Sequence, residues 1–188
     1  MQKSRLKVRQ ATPLLKQGAV IAYPTEAVWG LGCDPFDEKA VSKLLTLKSR
    51  SVDKGLILIG GSIEHFSFLL DDLASDLMGK LDSSWPGPTS WLVPHQQRVP
   101  AWVHGDHKTV AVRVSAHAVA AQLCIEYGGP IVSTSANPQG QPAATTADQV
   151  ETYFGAQLEG IVSGELGGAQ QPSIIRDLLT DEIIRGQG

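Results

Sequence analysis

Pro130-Ile131-Val132-Ser133-Thr134-Ser135-Ala136-Asn137 is a short apolar run that gives way to three hydroxyls and an amide. A run of that length bounded by turn formers has the signature of a buried strand, here expected over 130–132, emptying into a polar loop. In an open α/β sheet the strand ends face the crevice where ligands bind, and Ser, Thr and Asn bend the local backbone so that amide hydrogens point outward. The same residues also suit a solvated turn, and the rest of the chain has to decide between the two.

Further short apolar runs are read as strands at 19–23, 56–59, 91–93, 110–114, 158–162 and 182–185. Between most of them lie helix-length periodic stretches, roughly 4–17, 37–48, 72–81, 116–127 and 146–155, with Gly18, Gly128 and Gly155 placed as C-terminal stops. The alternation predicts an α/β domain. The chain has 188 residues, 42% of them apolar, enough for one ordinary core. No stretch approaches the ~18 consecutive apolar residues of a membrane span. The N-terminus, with Leu6, Val8, Ala11, Leu14 and Leu15 at helical spacing, lacks the apolar segment of a signal peptide and reads as the first helix of a cytoplasmic protein. Cys33 and Cys124 stand far apart and imply neither a disulfide framework nor a zinc site. His104-Gly105-Asp106-His107 has metal-like residue types but no third ligand cluster, and no metal site is assigned.

Charge is distributed unevenly. The formal net charge is −3, yet Lys43, Lys48, Arg50 and Lys54 follow one another with only Asp53 against them. Lys48 falls in the last turn of the helix that Asp37 would cap, where a cation suits the dipole, but that gives no reason for Arg50 and Lys54 to continue into the loop. A planar guanidinium beside point-charge ammonium groups matches a polyphosphate better than one carboxylate, the alternative being a charged surface run. Arg113 sits in an alternating strand with small apolar neighbours, so it must reach solvent, meet an anion, or pair with an acid such as Asp34 or Glu26.

Several segments together resemble the threonylcarbamoyl-adenylate synthase family, in its short bacterial form known as TsaC or YrdC. They are YPTEAVWGLGCD at 23–34, LKSR at 47–50, DKGLILI at 53–59, WPGP at 85–88, TVAVRV at 109–114, STSAN at 133–137 and PSIIRD at 172–177. The family's Lys-x-Arg and Ser-x-Asn motifs occur as Lys48-Ser49-Arg50 and Ser135-Ala136-Asn137. The resemblance implies one YrdC-like domain over 1–188, an α/β fold with a twisted, open, mixed sheet flanked by helices. It implies a nucleotidyltransferase that joins L-threonine, bicarbonate and ATP into L-threonylcarbamoyladenylate and pyrophosphate, with Mg²⁺ accompanying ATP, for modification of adenosine 37 in tRNAs by a downstream transferase complex. It places Lys48, Arg50, Lys54, Thr109, Ser135, Asn137 and Arg185 on ATP, and Thr25, Arg113, Ser133 and Ser173 on threonine, and it names no proton acceptor.

The chain departs from the family pattern at Ala27 and Ile59, where long-form relatives carry threonine and histidine, and at Ser90, where the family's usual Pro-Gly-Pro-x-Thr has threonine; the second domain of the long-form relatives is not expected within these 188 residues. The rival reading is a double-stranded RNA or tRNA-binding module without synthase activity; weak binding of such RNA is also compatible with the enzyme. Its cationic surface would have to act against a net charge of −3.

Overall fold

The apolar run at the centre of the sequence becomes a strand longer than its apolar residues. In the computed structural model, which describes residues 5–186, it spans Ile131–Ser135 and is flanked by two antiparallel neighbours, one pairing Gly30 with Ser135 and Leu31 with Thr134, the other pairing Ile57 with Ser133. Ladder hydrogen bonds on both sides outweigh the turn preference of Ser and Thr, so Ser133, Thr134 and Ser135 belong to the strand and not to the loop expected after 132.

Along the chain the elements are α1 (Val8–Lys16), β1 (Ile21–Pro24), β2 (Trp29–Gly32), α2 (Glu38–Lys48), β3 (Ile57–Gly60), α3 (Ser67–Leu70), α4 (Ser75–Ser84), β4 (Thr89–Pro94), α5 (Ala101–His104), β5 (Thr109–Val114), α6 (Ala118–Tyr127), β6 (Ile131–Ser135), α7 (Ala147–Phe154), β7 (Gly160–Ile161), β8 (Ile174–Asp177) and β9 (Ile183–Arg185). The strands form one mixed sheet in the order β7-β1-β2-β6-β3-β5-β4-β8-β9. Its β3–β5, β1–β7 and β4–β8 pairs are parallel and the remainder antiparallel.

Both faces of the sheet are covered, which explains why its strands read as unbroken apolar runs. On one face Ile21, Tyr23, Ile59 and Ile131 pack under α1 and α6, through Leu15, Ala120 and Leu123. On the other, Ala22, Leu31, Leu58 and Val132 meet α2, α4 and α7, through Leu44, Leu81 and Phe154. Alternate residues of β1, β3 and β6 therefore serve alternate cores. The α2 helix starts at Asp37 as its sequence predicts, the carboxylate accepting from the backbone N–H groups of Lys39 and Ala40 at 2.9 and 3.2 Å. Such a cap contributes about 1 kcal/mol.

Other boundaries move for identifiable reasons. The first helix begins at Val8 because Leu6 joins the sheet edge instead, its N–H bonding Ile161 O at 2.8 Å and its carbonyl accepting from Ser163 N. Ser4, the first residue of the expected helix, lies outside the described residues, as do 1–3 and 187–188 of the expected domain. The α4 helix occupies 75–84 and not 72–81. Two strands were not expected at all. One of them, β2, hides in Trp-Gly-Leu-Gly, where glycine is a poor strand former, and it survives because close packing requires glycine: a Cβ on Gly32 would stand 2.5 Å from Val132 O and 2.8 Å from the Tyr23 ring. The other, β8, is half-buried and takes its register from β4.

Gly32→Ala is therefore expected to destabilise the fold by about 1 to 3 kcal/mol, because a backbone oxygen has to move. Urea denaturation measures it, and an unchanged midpoint would contradict the packing described.

Candidate functional site

The C-terminal end of α2 sets two neighbouring cations facing different ways. Ser49 caps the helix in the left-handed region, at φ 51° and ψ 43°, and the chain turns there. Lys48 goes inward and is only 5% exposed, while Arg50 goes to the rim of a cavity of about 560 Å³. Inside, the Lys48 ammonium donates to the carbonyl oxygen of Ser135, to Asn137 O at 2.9 Å and to Asn137 Oδ1 at 3.3 Å. Ser135 Oγ also donates to Asn137 Oδ1, at 2.6 Å, and Asn137 Nδ2 donates to Gln141 O at 2.7 Å. The two motifs thus meet as one hydrogen-bonded unit at the end of β6.

The cavity opens above β6, β3 and β5. Its lining includes Arg50, Lys54, Arg185 and Thr109, and also Thr25, Arg113, Ser133, Ser135 and Ser173, with Arg185 Nη2 donating to Ser173 O at 3.4 Å. These are nine of the eleven residues that the family resemblance assigned to substrates. The other two, Lys48 and Asn137, do not line the cavity; they lie behind its wall, because the ammonium and the amide satisfy each other and the backbone carbonyls around them.

The cationic wall is strained electrostatically. Arg50 Nη2 donates to Gly55 O at 2.8 Å, and its Nε is buried with no hydrogen-bond partner. Burial pulls Arg50 below its ordinary value. Arg185 is pulled down by burial first and then by the charge of Arg50, so the two guanidinium groups repel across the space they share. The nearest carboxylate in the cavity lining, Glu26, is engaged elsewhere. Its Oε1 accepts from Arg113 Nη1 at 2.6 Å, Ser115 Oγ at 2.8 Å and Ala116 N at 3.2 Å. Burial pushes the Glu26 carboxyl up, but the Arg113 charge and these bonds outweigh it and hold the group below the ordinary carboxylate range. Arg113 is thereby fixed in a half-neutralised pair, with a buried Nε that has no partner. Of the two acids the sequence offered it, Glu26 is the one used.

Near that pair, Thr25 Oγ1 donates to Val28 O at 2.6 Å, closing the turn between β1 and β2. Ser173 Oγ and the buried Ser90 Oγ are 3.0 Å apart, which assigns the hydroxyl of Ser90 to holding Ser173. The segment from 163 to 173 joins β7 to β8 beside the cavity. It is tied down by Gly167 N to Thr25 O, Ala169 N to Glu26 O and the His117 ring to Glu165 O. Ala169, Gln171 and Pro172 of that segment line the cavity. Glu26 and Ser115, which orient Arg113, were not placed at the site from sequence; their signal was the Glu of Tyr-Pro-Thr-Glu and the Ser immediately after β5. His104 and His107 also line the cavity. Among the described residues, no group of three His, Cys, Asp or Glu side chains is arranged to hold a metal ion, and no helix is long and apolar enough to cross a membrane. Both cysteines are buried and free.

Lys48 gives this site a pH signature. Burial, with the Arg50 charge second, lowers its ammonium from 10.5 to about 8. Between those values the unfolded chain holds a proton that the folded chain has lost, so this group's contribution to stability rises as pH rises from about 8 to 10.5 and is constant below. In urea titrations against pH, the stability difference between wild type and Lys48→Met should move in favour of wild type across that window. A pH-independent difference would contradict the burial of the charge.

Comparison with known proteins adds to this geometry. Residues 13–186 match the protein family Sua5_yciO_yrdC, described as Telomere recombination. A Pseudomonas fluorescens protein named Threonylcarbamoyl-AMP synthase is 56% identical over 182 residues, covering 97% of this chain and 98% of its own. A Pseudomonas putida protein of the same name matches over the same shares at 56%. Among solved structures, Sua5 of P. abyssi complexed with L-threonine is 32% identical with a TM-score of 0.85, covering 93% of this chain. This chain spans about half of that one, 52%. YciO of E. coli, 24% identical with a TM-score of 0.80 over 95% of this chain and 87% of its own, shares the fold.

Proposed function

We infer the function from one premise: this chain belongs to the Sua5/YciO/YrdC family. It is an enzyme, a threonylcarbamoyl-AMP synthase that uses ATP and L-threonine. The observation that carries this reading to the cavity is the pair of cations Arg50 and Arg185, the first lowering the second by its charge, in the same cavity as Arg113 with its carboxylate partner. A polyphosphate relieves the pair, and an amino-acid carboxylate fits Arg113.

In the reaction, the threonine amine and bicarbonate give a carbamate and water. A carbamate oxygen then bonds to the α-phosphorus of ATP as the bond to the β-phosphate oxygen breaks, and pyrophosphate leaves. Positioning and charge stabilisation carry most of such a step. Arg50, Lys54 and Arg185 bind the triphosphate, with Thr109 and Ser135 supporting the nucleotide. Arg113 takes the threonine carboxylate, with Thr25, Ser133 and Ser173 around the rest of the amino acid. Lys48 and Asn137 act from behind, by fixing the end of β6. Mg²⁺ would accompany ATP as part of the substrate and would neutralise charge on the departing pyrophosphate; among the described residues no cluster of three His, Cys, Asp or Glu is arranged to hold it.

The same reading takes 1–188 as one YrdC-like unit working in the cytoplasm and passing its labile mixed anhydride to a transferase complex that modifies adenosine 37 of tRNAs. Weak tRNA contact is compatible with it; a module that binds RNA without synthase activity is not favoured.

Incubation with ATP, threonine and labelled bicarbonate should yield labelled threonylcarbamoyladenylate and an equal amount of pyrophosphate, both dependent on threonine. Pyrophosphate release without label in the adenylate would contradict the reaction. Arg50→Ala should lower turnover by roughly one to two orders of magnitude, the value of a charge-assisted contact. Arg113→Ala should raise the threonine requirement far more than the ATP requirement in steady-state kinetics, and an equal rise in both would remove Arg113 from the carboxylate.

A further inference from the structure

Arg113, Ser115 and His117 stand at alternate positions running off the end of β5. The first two hold the Glu26 carboxylate. The third is only 9% exposed, and its ring bridges the start of α6 to the segment between β7 and β8. His117 Nδ1 accepts from Ala120 N at 3.4 Å, as the N-cap of α6. A backbone N–H can only donate and a backbone carbonyl can only accept, so the ring proton sits on Nε2 and is donated to Glu165 O at 2.9 Å. Both nitrogens of the ring are thus committed, each to a different element.

The bond to Glu165 closes a circuit around Glu26. Two residues beyond Glu165, Gly167 N bonds Thr25 O at 3.0 Å, and two further on Ala169 N bonds Glu26 O at 2.9 Å. The Glu26 carboxylate accepts from Ser115 Oγ at 2.8 Å, and that hydroxyl accepts from His117 N at 3.2 Å. The turn carrying Thr25 and Glu26 is therefore gripped twice, by its carbonyls from the segment and by its carboxylate from the end of β5, and His117 takes part in both grips. The fit is close: a Cβ on Gly167 would stand 3.0 Å from Glu26 Cα and 3.3 Å from the His117 ring. Residues 167–172 are exposed, so hydrogen bonds rather than burial set their place.

We propose that His117 is a positioning residue for the amino-acid substrate: by latching the segment at Glu165 it keeps the Thr25–Glu26 turn in place and, through Glu26, the direction of the Arg113 guanidinium. The inference rests on the reading above that puts the threonine carboxylate on Arg113. Arg113 has Nη1 on Glu26 and a buried Nε with no hydrogen-bond partner, so its orientation follows that of Glu26. With the latch open the turn gains freedom, and an incoming carboxylate meets the guanidinium over a spread of directions. The loss falls on threonine more than on ATP, because Arg50 and Lys54 stand in the loop after α2, where Arg50 is held by Gly55 O.

Two variants separate the latch from the helix cap, since the two ring nitrogens serve different elements. In His117→Asn the short amide can still cap α6 but cannot reach Glu165 O; in His117→Gln the longer amide N–H can reach Glu165 O but caps poorly. Steady-state pyrophosphate release should give a threonine KM raised about 5-fold or more in His117→Asn, with the ATP KM within about 2-fold of wild type. His117→Gln should bring the threonine KM back to within about 2-fold of wild type, while its urea midpoint falls below that of His117→Asn. Amide exchange over 164–172 should be faster in His117→Asn than in wild type or His117→Gln. A threonine KM unchanged in His117→Asn, raised equally in both variants, or raised no more than the ATP KM would reduce His117 to a helix cap and overturn the inference while leaving the synthase reading in place. Wild type that releases no pyrophosphate in response to threonine would overturn both.

Discussion

A positive charge buried beneath the end of β6 is the constraint on which the site depends. An ammonium removed from water must be surrounded by acceptors, and Lys48 finds them in the carbonyls of Ser135 and Asn137 and the Asn137 amide oxygen. Because β6 sits between β2 and β3, fixing its end fixes the floor of the cavity. The left-handed turn at Ser49 is the geometric counterpart: it sends Lys48 inward and lets Arg50 reach the rim. The two motifs are therefore parts of one structure, in which a helix end and a strand end are tied by a single side chain.

On that floor the charges are separated by sign and by partner. Arg113 is held by Glu26, which three donors hold in turn, so its guanidinium is oriented before any ligand arrives. Among the described residues Arg50 and Arg185 have no such carboxylate, and the charge of Arg50 lowers Arg185 further. In the proposed function the oriented guanidinium of Arg113 meets a small anion, and the cations Arg50 and Arg185 meet a larger and more highly charged one. Preorganisation of this kind suits a reaction whose chemistry consists of bringing a carbamate to a phosphorus and stabilising a departing pyrophosphate.

The legible parts of the fold are those governed by neighbours in sequence. Asp37 caps α2 as expected because capping needs only the next three residues, and the alternation of apolar runs gave the α/β class. The paired ladders that extend β6 through Ser135 and stabilise Trp29–Gly32 come from strands far away in the chain, and local propensity opposes both. At the site, residue types announced the cations and hydroxyls but not their directions. Nothing local signals that a serine at 49 adopts a conformation usually taken by glycine, and this decides that Lys48 and Asn137 face away from the cavity. His104-Gly105-Asp106-His107 drew notice for metal-like residue types, yet the ring that stacks on His104 comes from His95, outside that motif.

The linkage between Lys48 and the end of β6 is open to one direct measurement: a double-mutant cycle on ATP affinity with Lys48→Met, Asn137→Ala and the double variant, each verified as folded. Two residues acting as one unit behind the cavity wall predict strong coupling, the double variant losing little more than the worse single, with an interaction of about 1 kcal/mol or more. Losses that add independently would mean that each side chain serves the nucleotide separately, and would contradict the account.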